Sequence, residues 1–227
     1  MGKLRIVSYS REPFSDRVEA GRLLARELDS LRGRNPVILG IPRGGIIPAR
    51  ELALALNGRL DVILSHKLRM PGRPEVAMGA IAEGGVSFVD PEIVRLLGIT
   101  VQMIEQEKHF QLEELNRRSE KIRQILPRVP LENRQVIITD DGVATGATTR
   151  TAIRAARFGN PARLILALPV GPEDTVSELA EEADETICLR VPLDFMAVGQ
   201  FYRSFEQVSD QEMLDILKEA RRREEEK

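Results

Sequence analysis

The chain has 227 residues, with 33 basic and 35 acidic side chains and a net charge of −2, which leaves no electrostatic footprint for a nucleic-acid partner. Hydrophobic residues make up 42%, enough for a sizeable core, yet no apolar run approaches the ~20 residues of a membrane span. The N-terminal Met1-Gly2-Lys3-Leu4-Arg5 lacks an apolar signal core and Cys188 is the only cysteine, so no internal disulfide is possible and a cytoplasmic location is expected.

In chain order, a helix is predicted over 15–28, with Ser15 as its cap and Val18, Leu24 and Leu28 on one face. Pro36-Val37-Ile38-Leu39-Gly40 reads as a short buried strand. Gly44 and Gly45 then open a helix over 46–56, which Asn57-Gly58 stops. A strand over 60–65 completes a βαβ unit, which implies parallel pairing and a right-handed crossover. The stretch 67–75 holds three cations, two prolines and a glycine and is expected to be a flexible loop. Ala80-Ile81-Ala82 and Val86-Ser87-Phe88-Val89 flank Glu83-Gly84-Gly85 as a small hairpin, so loop and hairpin fill about 67–90. One long, mostly solvated helix is expected over about 100–126, with Glu113 facing Arg117 and Glu114 facing Arg118 one turn on. A surface helix, a lid and a dimer contact are all open readings for it.

The β-branched run Val136-Ile137-Ile138 marks another buried strand. Asp140 and Asp141 stand where it ends, and the uncharged run Gly142, Val143, Ala144, Thr145, Gly146, Ala147, Thr148, Thr149 leads into a helical pattern through Arg157. Strand, small-residue loop, helix is a layout in which backbone N–H groups collect a phosphate. The paired acids before it suit sugar hydroxyls or a magnesium ion. A strand over 163–170, a helix over 173–182, a strand over 185–189, Cys188 buried within it, and a helix over 211–223 follow. The sum is an α/β fold: an open, mostly parallel five-stranded sheet with helices on both faces, expected to form one domain over 1–227. The loops 41–45, 66–75 and 140–149 all follow strands, where open α/β sheets bind ligands.

The run 136–150 resembles the ribose-phosphate signature of type I phosphoribosyltransferases: a hydrophobic strand, two acids, then a Thr-Gly-x-Thr phosphate loop. Over 15–215 the arrangement is similar to prokaryotic phosphoribosyltransferase-domain proteins with Pro-Arg-Gly-Gly and Asp-Asp-Gly-Val-Ala-Thr-Gly runs and no settled substrate. The resemblance implies transfer of the phosphoribosyl group of phosphoribosyl pyrophosphate to a nitrogenous base, with release of pyrophosphate. It implies that Asp140 and Asp141 hold the ribose hydroxyls and, directly or through them, Mg2+, and that 142–149 bind the 5-phosphate. Gly40-Ile41-Pro42-Arg43-Gly44-Gly45 then corresponds to the pyrophosphate loop, with Arg43 and the amides at Gly44 and Gly45. Lys67 is the lid cation, with Arg69 and Arg73 as weaker candidates. The stretch about 190–208 is either a core edge strand or a hood in which Phe195 stacks on the base.

Asp-Phe-x-x-Val-Gly at 194–199 is most similar to the hood of hypoxanthine- and guanine-using members, which points to a purine-like base. Ala144 stands where purine-protonating members carry an acid, so the acid or base acting on the acceptor must lie elsewhere; Glu83 is one candidate. The resemblance also implies a homo-oligomer without nucleic-acid or membrane partners. The main competing reading is a non-catalytic sensor of phosphoribosyl pyrophosphate or nucleotides on the same fold. A hydrolase acting through the paired aspartates lacks an activated nucleophile.

Overall fold

The computed structural model describes residues 2–226, with Pro74 and Glu75 described in backbone only. In chain order its elements are β1 (Lys3–Ser8), α1 (Arg17–Glu27), β2 (Val37–Gly40), α2 (Ile46–Leu56), β3 (Arg59–Val62), β4 (Ser65–Met70), β5 (Arg73–Ala82) and β6 (Ser87–Val89). There follow α3 (Pro91–Leu97), α4 (Val101–Ile125), β7 (Gln135–Thr139), α5 (Ala147–Arg157), β8 (Arg163–Val170), α6 (Glu173–Ala180), β9 (Glu185–Arg190) and α7 (Asp210–Glu225).

The main sheet is wholly parallel, in the order β1-β9-β8-β7-β2-β3. Side chains alternate between its faces. Ile38, Ile137, Ile165 and Ile187 join the core under α1, α2 and α7, while Val136, Ile138, Leu164, Leu166 and Cys188 join the opposite core with residues of α5 and α6. Burial on both faces explains why the central strands read as continuous apolar runs rather than alternating ones. Burial also pushes the Cys188 thiol up to about 12, which leaves it inert as a nucleophile.

The sheet has six strands, not the expected five. β1 was missed because Lys3 and Arg5 interrupt its apolar residues, as suits an edge strand, where charges discourage further pairing. The cap of α1 is Asp16 rather than Ser15: its carboxylate accepts from the Glu19 amide at 2.8 Å, while Glu19 accepts from the Ser15 amide.

The larger correction concerns 60–75. The strand expected over 60–65 stops at Val62, and the stretch expected to be a flexible loop forms most of an antiparallel hairpin. Ser65 pairs with Ala82 and Met70 with Arg73, closing on Gly72 at φ 77°. Leu68 is isolated among cations in sequence, so its strand signal is weak. Folded, it is fully buried with Met78 and Ile81, and this apolar underside pins the hairpin. The hairpin expected between 80 and 89 is present as β5 and β6.

α4 starts at the Thr100 cap, whose hydroxyl accepts from the Met103 amide. It is mostly solvated, as expected, with Gln111, Leu115, Ser119 and Ile122 forming one buried seam. Its surface pairs include Lys108 with Glu105, His109 with Glu113 and Arg117 with Glu114, and neither of the two expected pairs is among them. Below the seam, Arg123 bridges Asp61 and Glu83, both at 2.6 Å, and Ser119 donates to Glu83. Asp61 also accepts from the amides of Val62 and Val129. Burial opposes the Glu83 charge, yet Arg123 and Ser119 hold its carboxyl below the usual range. Glu83 is therefore an ionised tie between hairpin and helix, and not the acceptor's acid or base. Replacing Arg123 with Met strands the buried Asp61 and the half-buried Glu83, and breaking a buried pair costs about 3–5 kcal/mol. Urea unfolding of Arg123→Met should show a loss of that size; a change below about 1 kcal/mol would mean that packing alone seats α4.

Candidate functional site

Gly40 pairs with Thr139, so the loops leaving β2 and β7 emerge side by side at one edge of the sheet. The Ile41 amide donates to Thr139 O at 2.9 Å and the Gly45 amide to Ile41 O at 3.0 Å, folding 41–45 back over the acidic corner; the Pro42–Arg43 peptide is cis. A Cβ on Gly44 would lie 2.0 Å from Asp141 Oδ2, and one on Gly45 only 2.8 Å from Asp140 Cα. Glycine is required here by close approach, since neither residue has a positive φ.

Asp141 is tightly held. Arg17, at the start of α1 and 8% exposed, donates from Nε to Asp141 Oδ2 at 2.7 Å and from Nη1 to Glu206 O at 2.8 Å. The Arg17 guanidinium lies 3.8 Å over the Phe205 ring, which stacks in turn on Tyr202. Tyr202 donates its hydroxyl to the Asp141 carbonyl at 2.5 Å. Burial, followed by the nearby Asp141 charge, pushes the Tyr202 phenol up and keeps it a donor. Asp140 accepts from the Asp141 amide at 2.8 Å. Burial and then the Asp141 charge hold its carboxyl well above the usual range, so a cation or hydroxyl donors beside it would favour the ionised form.

The loop after Asp141 is anchored by the Val143 amide on Val170 O and by Thr175 Oγ1 on Ala144 O. Gly146 sits at φ 74°, the left-handed turn that starts α5, and no side chain caps that helix. Its first amides are thus free of a side-chain competitor for an anion. Ala144, Thr145, Ala147 and Thr148 are exposed, whereas Thr149 is 2% exposed and turns inward, away from the loop surface. Gly142 and Val143 are buried; a Cβ on Gly142 would meet Val198 at 2.6 Å, so the segment after β9 packs directly on this loop.

A cavity of about 510 Å3 lies beside these loops, lined among others by Ile41, Pro42, Lys67, Gln111, Arg118 and Thr148. It joins Lys67 to the start of α5. Arg69 contributes to its wall, but Arg73 lies at the exposed hairpin end outside it. Arg43 turns the other way, toward Asp210 at 3.7 Å, into a second cavity of about 690 Å3 between α4 and α7. Phe195 joins neither cavity; its ring is half-buried and stacks on Phe201 at 5.5 Å. Asp140, Asp141, Gly44, Gly45 and the phosphate loop are thus brought together, while the side chains of Arg43 and Phe195 are not. Sequence reading missed Arg17 and placed Tyr202 and Phe205 only within the expected hood stretch, not against Asp141 and Arg17. Arg17 looked like one more charge on an amphipathic helix, and only its partner more than a hundred residues away distinguishes it.

Among the described residues no cluster of three or more His, Cys, Asp or Glu side chains forms a cation cage. Two adjacent carboxylates, one already paired with Arg17, fit the other way of holding magnesium, in which substrate phosphate oxygens and water supply most ligands. No helix among these residues is long and apolar enough to cross a membrane.

The family model described as phosphoribosyl transferase domain matches residues 17–206. Mycobacterium tuberculosis proteins whose names give them provisionally as phosphoribosyl transferases are 44% identical over 209 residues, 92% of this chain and 47% of their own length. The chain therefore spans about half the length of these curated relatives. The crystal structure of TT1426 from Thermus thermophilus is 40% identical with a TM-score of 0.85, covering 91% of this chain and 98% of that one. With its strand-end loops and its paired acids ahead of α5, the chain belongs to the phosphoribosyl transferase domain family.

Proposed function

We propose that the protein transfers the 5-phosphoribosyl group of phosphoribosyl pyrophosphate to a nitrogenous base, releasing pyrophosphate. One observation carries this reading: the glycine loop 41–45 touches the Asp140-Asp141 corner, and the uncapped turn of α5 opens from the same corner. A ligand with a phosphate at each end of a ribose matches two anion-binding loops separated by two carboxylates.

In this reading the amides and hydroxyls of 144–148 hold the 5-phosphate. The Gly44 amide faces the pyrophosphate, the Gly45 amide being spent on Ile41 O, and Lys67 closes on it from β4. Asp140 carries most of the contact with the ribose hydroxyls, because Asp141 Oδ2 is already occupied by Arg17. Magnesium, when bound with the donor, neutralises charge on the departing pyrophosphate. The chain's own contribution is to position the donor and to keep water from the electron-poor ribosyl carbon. Phe195, with one face on Phe201, would border the acceptor from the hood side, and a purine-like acceptor is the class that the 194–199 run suggests.

Asn at both Asp140 and Asp141 removes two charge-assisted contacts worth about 1.5–3 kcal/mol each, so magnesium-dependent donor affinity should fall by about 10²-fold or more. Calorimetry with phosphoribosyl pyrophosphate measures this, and unchanged affinity in a folded double variant would refute the site. Arg43→Ala tests a separate point. If Arg43 swings from Asp210 onto pyrophosphate, its removal should weaken inhibition by inorganic pyrophosphate about tenfold while sparing nucleoside monophosphate binding. Equal losses in both would refute that role.

A further inference from the structure

The cavity of about 690 Å3 between α4 and the start of α7 shares Pro42, Glu114 and Arg118 with the wall of the 510 Å3 cavity. No residue of 140–149 lines it, however, so a donor spanning both anion loops does not fill it. The proposed transfer leaves this space without a role. We propose that it binds a nucleoside polyphosphate, and that the bound nucleotide weakens donor binding by keeping Arg43 away from pyrophosphate. The second half of this proposal rests on the transferase reading given above.

The cavity is rich in cations. Arg43 enters it from the loop after β2, and Arg117, Arg118 and Lys121 from the second half of α4, against only Glu114 and Asp210. Glu114 is already spent, since it accepts from Arg117 at 2.5 Å. Arg118 and Lys121 make no ion pair or side-chain hydrogen bond among the described residues. Arg43 stands 3.7 Å from Asp210, beyond hydrogen-bond length. Arg117 and Lys121 are one turn apart on α4, a spacing at which like charges repel and the helix gains nothing from carrying both. An anion with several charges satisfies these groups together, through forked contacts to the guanidiniums and a point contact to Lys121.

The remaining lining is largely apolar, with Leu64 on one side and Met213 and Leu214 of α7 on the other. The volume falls within the range of about 300–1,000 Å3 typical of small-molecule sites, more than a lone phosphate needs. Apolar walls beside a group of cations match a ligand with a flat ring system at one end and phosphates at the other. Arg43 then couples this space to the donor. Its pair with Asp210 is long and exposed, so it holds the guanidinium only weakly. Polyphosphate oxygens are stronger partners and keep Arg43 on the α7 side. The loop 41–45 meets pyrophosphate with the Gly44 amide but without that guanidinium, and by reciprocity the donor weakens the nucleotide equally.

Calorimetry with ATP, GTP and inorganic tripolyphosphate, each with magnesium, tests the site in the folded protein. At least one nucleotide should bind, and tripolyphosphate, which lacks the ring system, should bind at least about tenfold more weakly. Lys121→Glu, a change at an exposed position, should weaken nucleotide binding about tenfold or more, with donor affinity within about twofold of wild type. As nucleotide is added, the donor Kd should rise to a plateau about tenfold above its starting value, the share of affinity that Arg43 supplies. In Arg43→Ala the nucleotide should leave donor affinity unchanged. The inference is overturned if neither nucleotide binds, if tripolyphosphate binds as tightly, or if Lys121→Glu binds nucleotide like the wild type. A donor Kd that stays flat also overturns it, as does one that climbs without levelling off, which would place the nucleotide in the donor's own site. A protein that binds nucleotide in this Lys121-dependent way but never phosphoribosyl pyrophosphate would bring down the transferase reading and the coupling with it, a failure distinct from loss of the nucleotide site.

Discussion

The Asp141 carboxylate is the point on which the candidate site depends. One oxygen meets the Arg17 guanidinium at 2.7 Å and would lie 2.0 Å from any Cβ at position 44. Arg17 itself is spent on Asp141, on the Glu206 carbonyl and on the face of Phe205, which ties α1 and the C-terminal segment to the end of β7. Such a pair is not favourable merely because it is ionic, since both partners lose water. What it provides is position. With Arg17 in place, Asp141 cannot rotate into the loop 41–45, and that loop can settle onto it with nothing but hydrogen at Gly44. The consequence is a difference between neighbouring acids: Asp141 organises protein, whereas the carboxylate of Asp140, pushed upward by burial, accepts only from the Asp141 amide among the described residues.

A second constraint holds the opposite wall. The β4-β5-β6 sheet has no strand in common with the main sheet. It is attached through Leu68, Met78 and Ile81 below and through the Arg123, Asp61 and Glu83 cluster at its base. α4 then closes the far side, its seam of Gln111, Leu115, Ser119 and Ile122 turned inward. The result is a walled cavity where sequence suggested a flexible lid loop. Gln111 belongs to both features, since it packs in the seam and lies 2.9 Å from His66 Nδ1 in the cavity wall.

Much of the architecture was legible because its signals are local. Val136-Ile137-Ile138 followed by two acids and a small-residue loop is a strand, corner and helix start in almost any context. The central strands, α2 and α5 were recognisable by the same logic, and α4 by its uninterrupted helical period. Failures came where local signals were diluted. Lys3 and Arg5 hid an edge strand, and the cations around Leu68 made a hairpin look like a loop. Glu83 looked available because nothing nearby in sequence announces Arg123.

The sequence by itself determined the fold class, the loops that gather at the strand ends, and the acidic pair with its phosphate-type loop. These depend on hydrophobic period, β-branching and glycine placement, which act within a few residues. Only the tertiary structure decided which charges remain free. Arg17 claims Asp141 across 124 residues, Arg123 claims Glu83 across 40, and Gln111 meets His66 across 45. The reason is physical: a buried charge or amide is committed by whichever partner the packing brings within about 3 Å, and that distance exists only after the chain has folded.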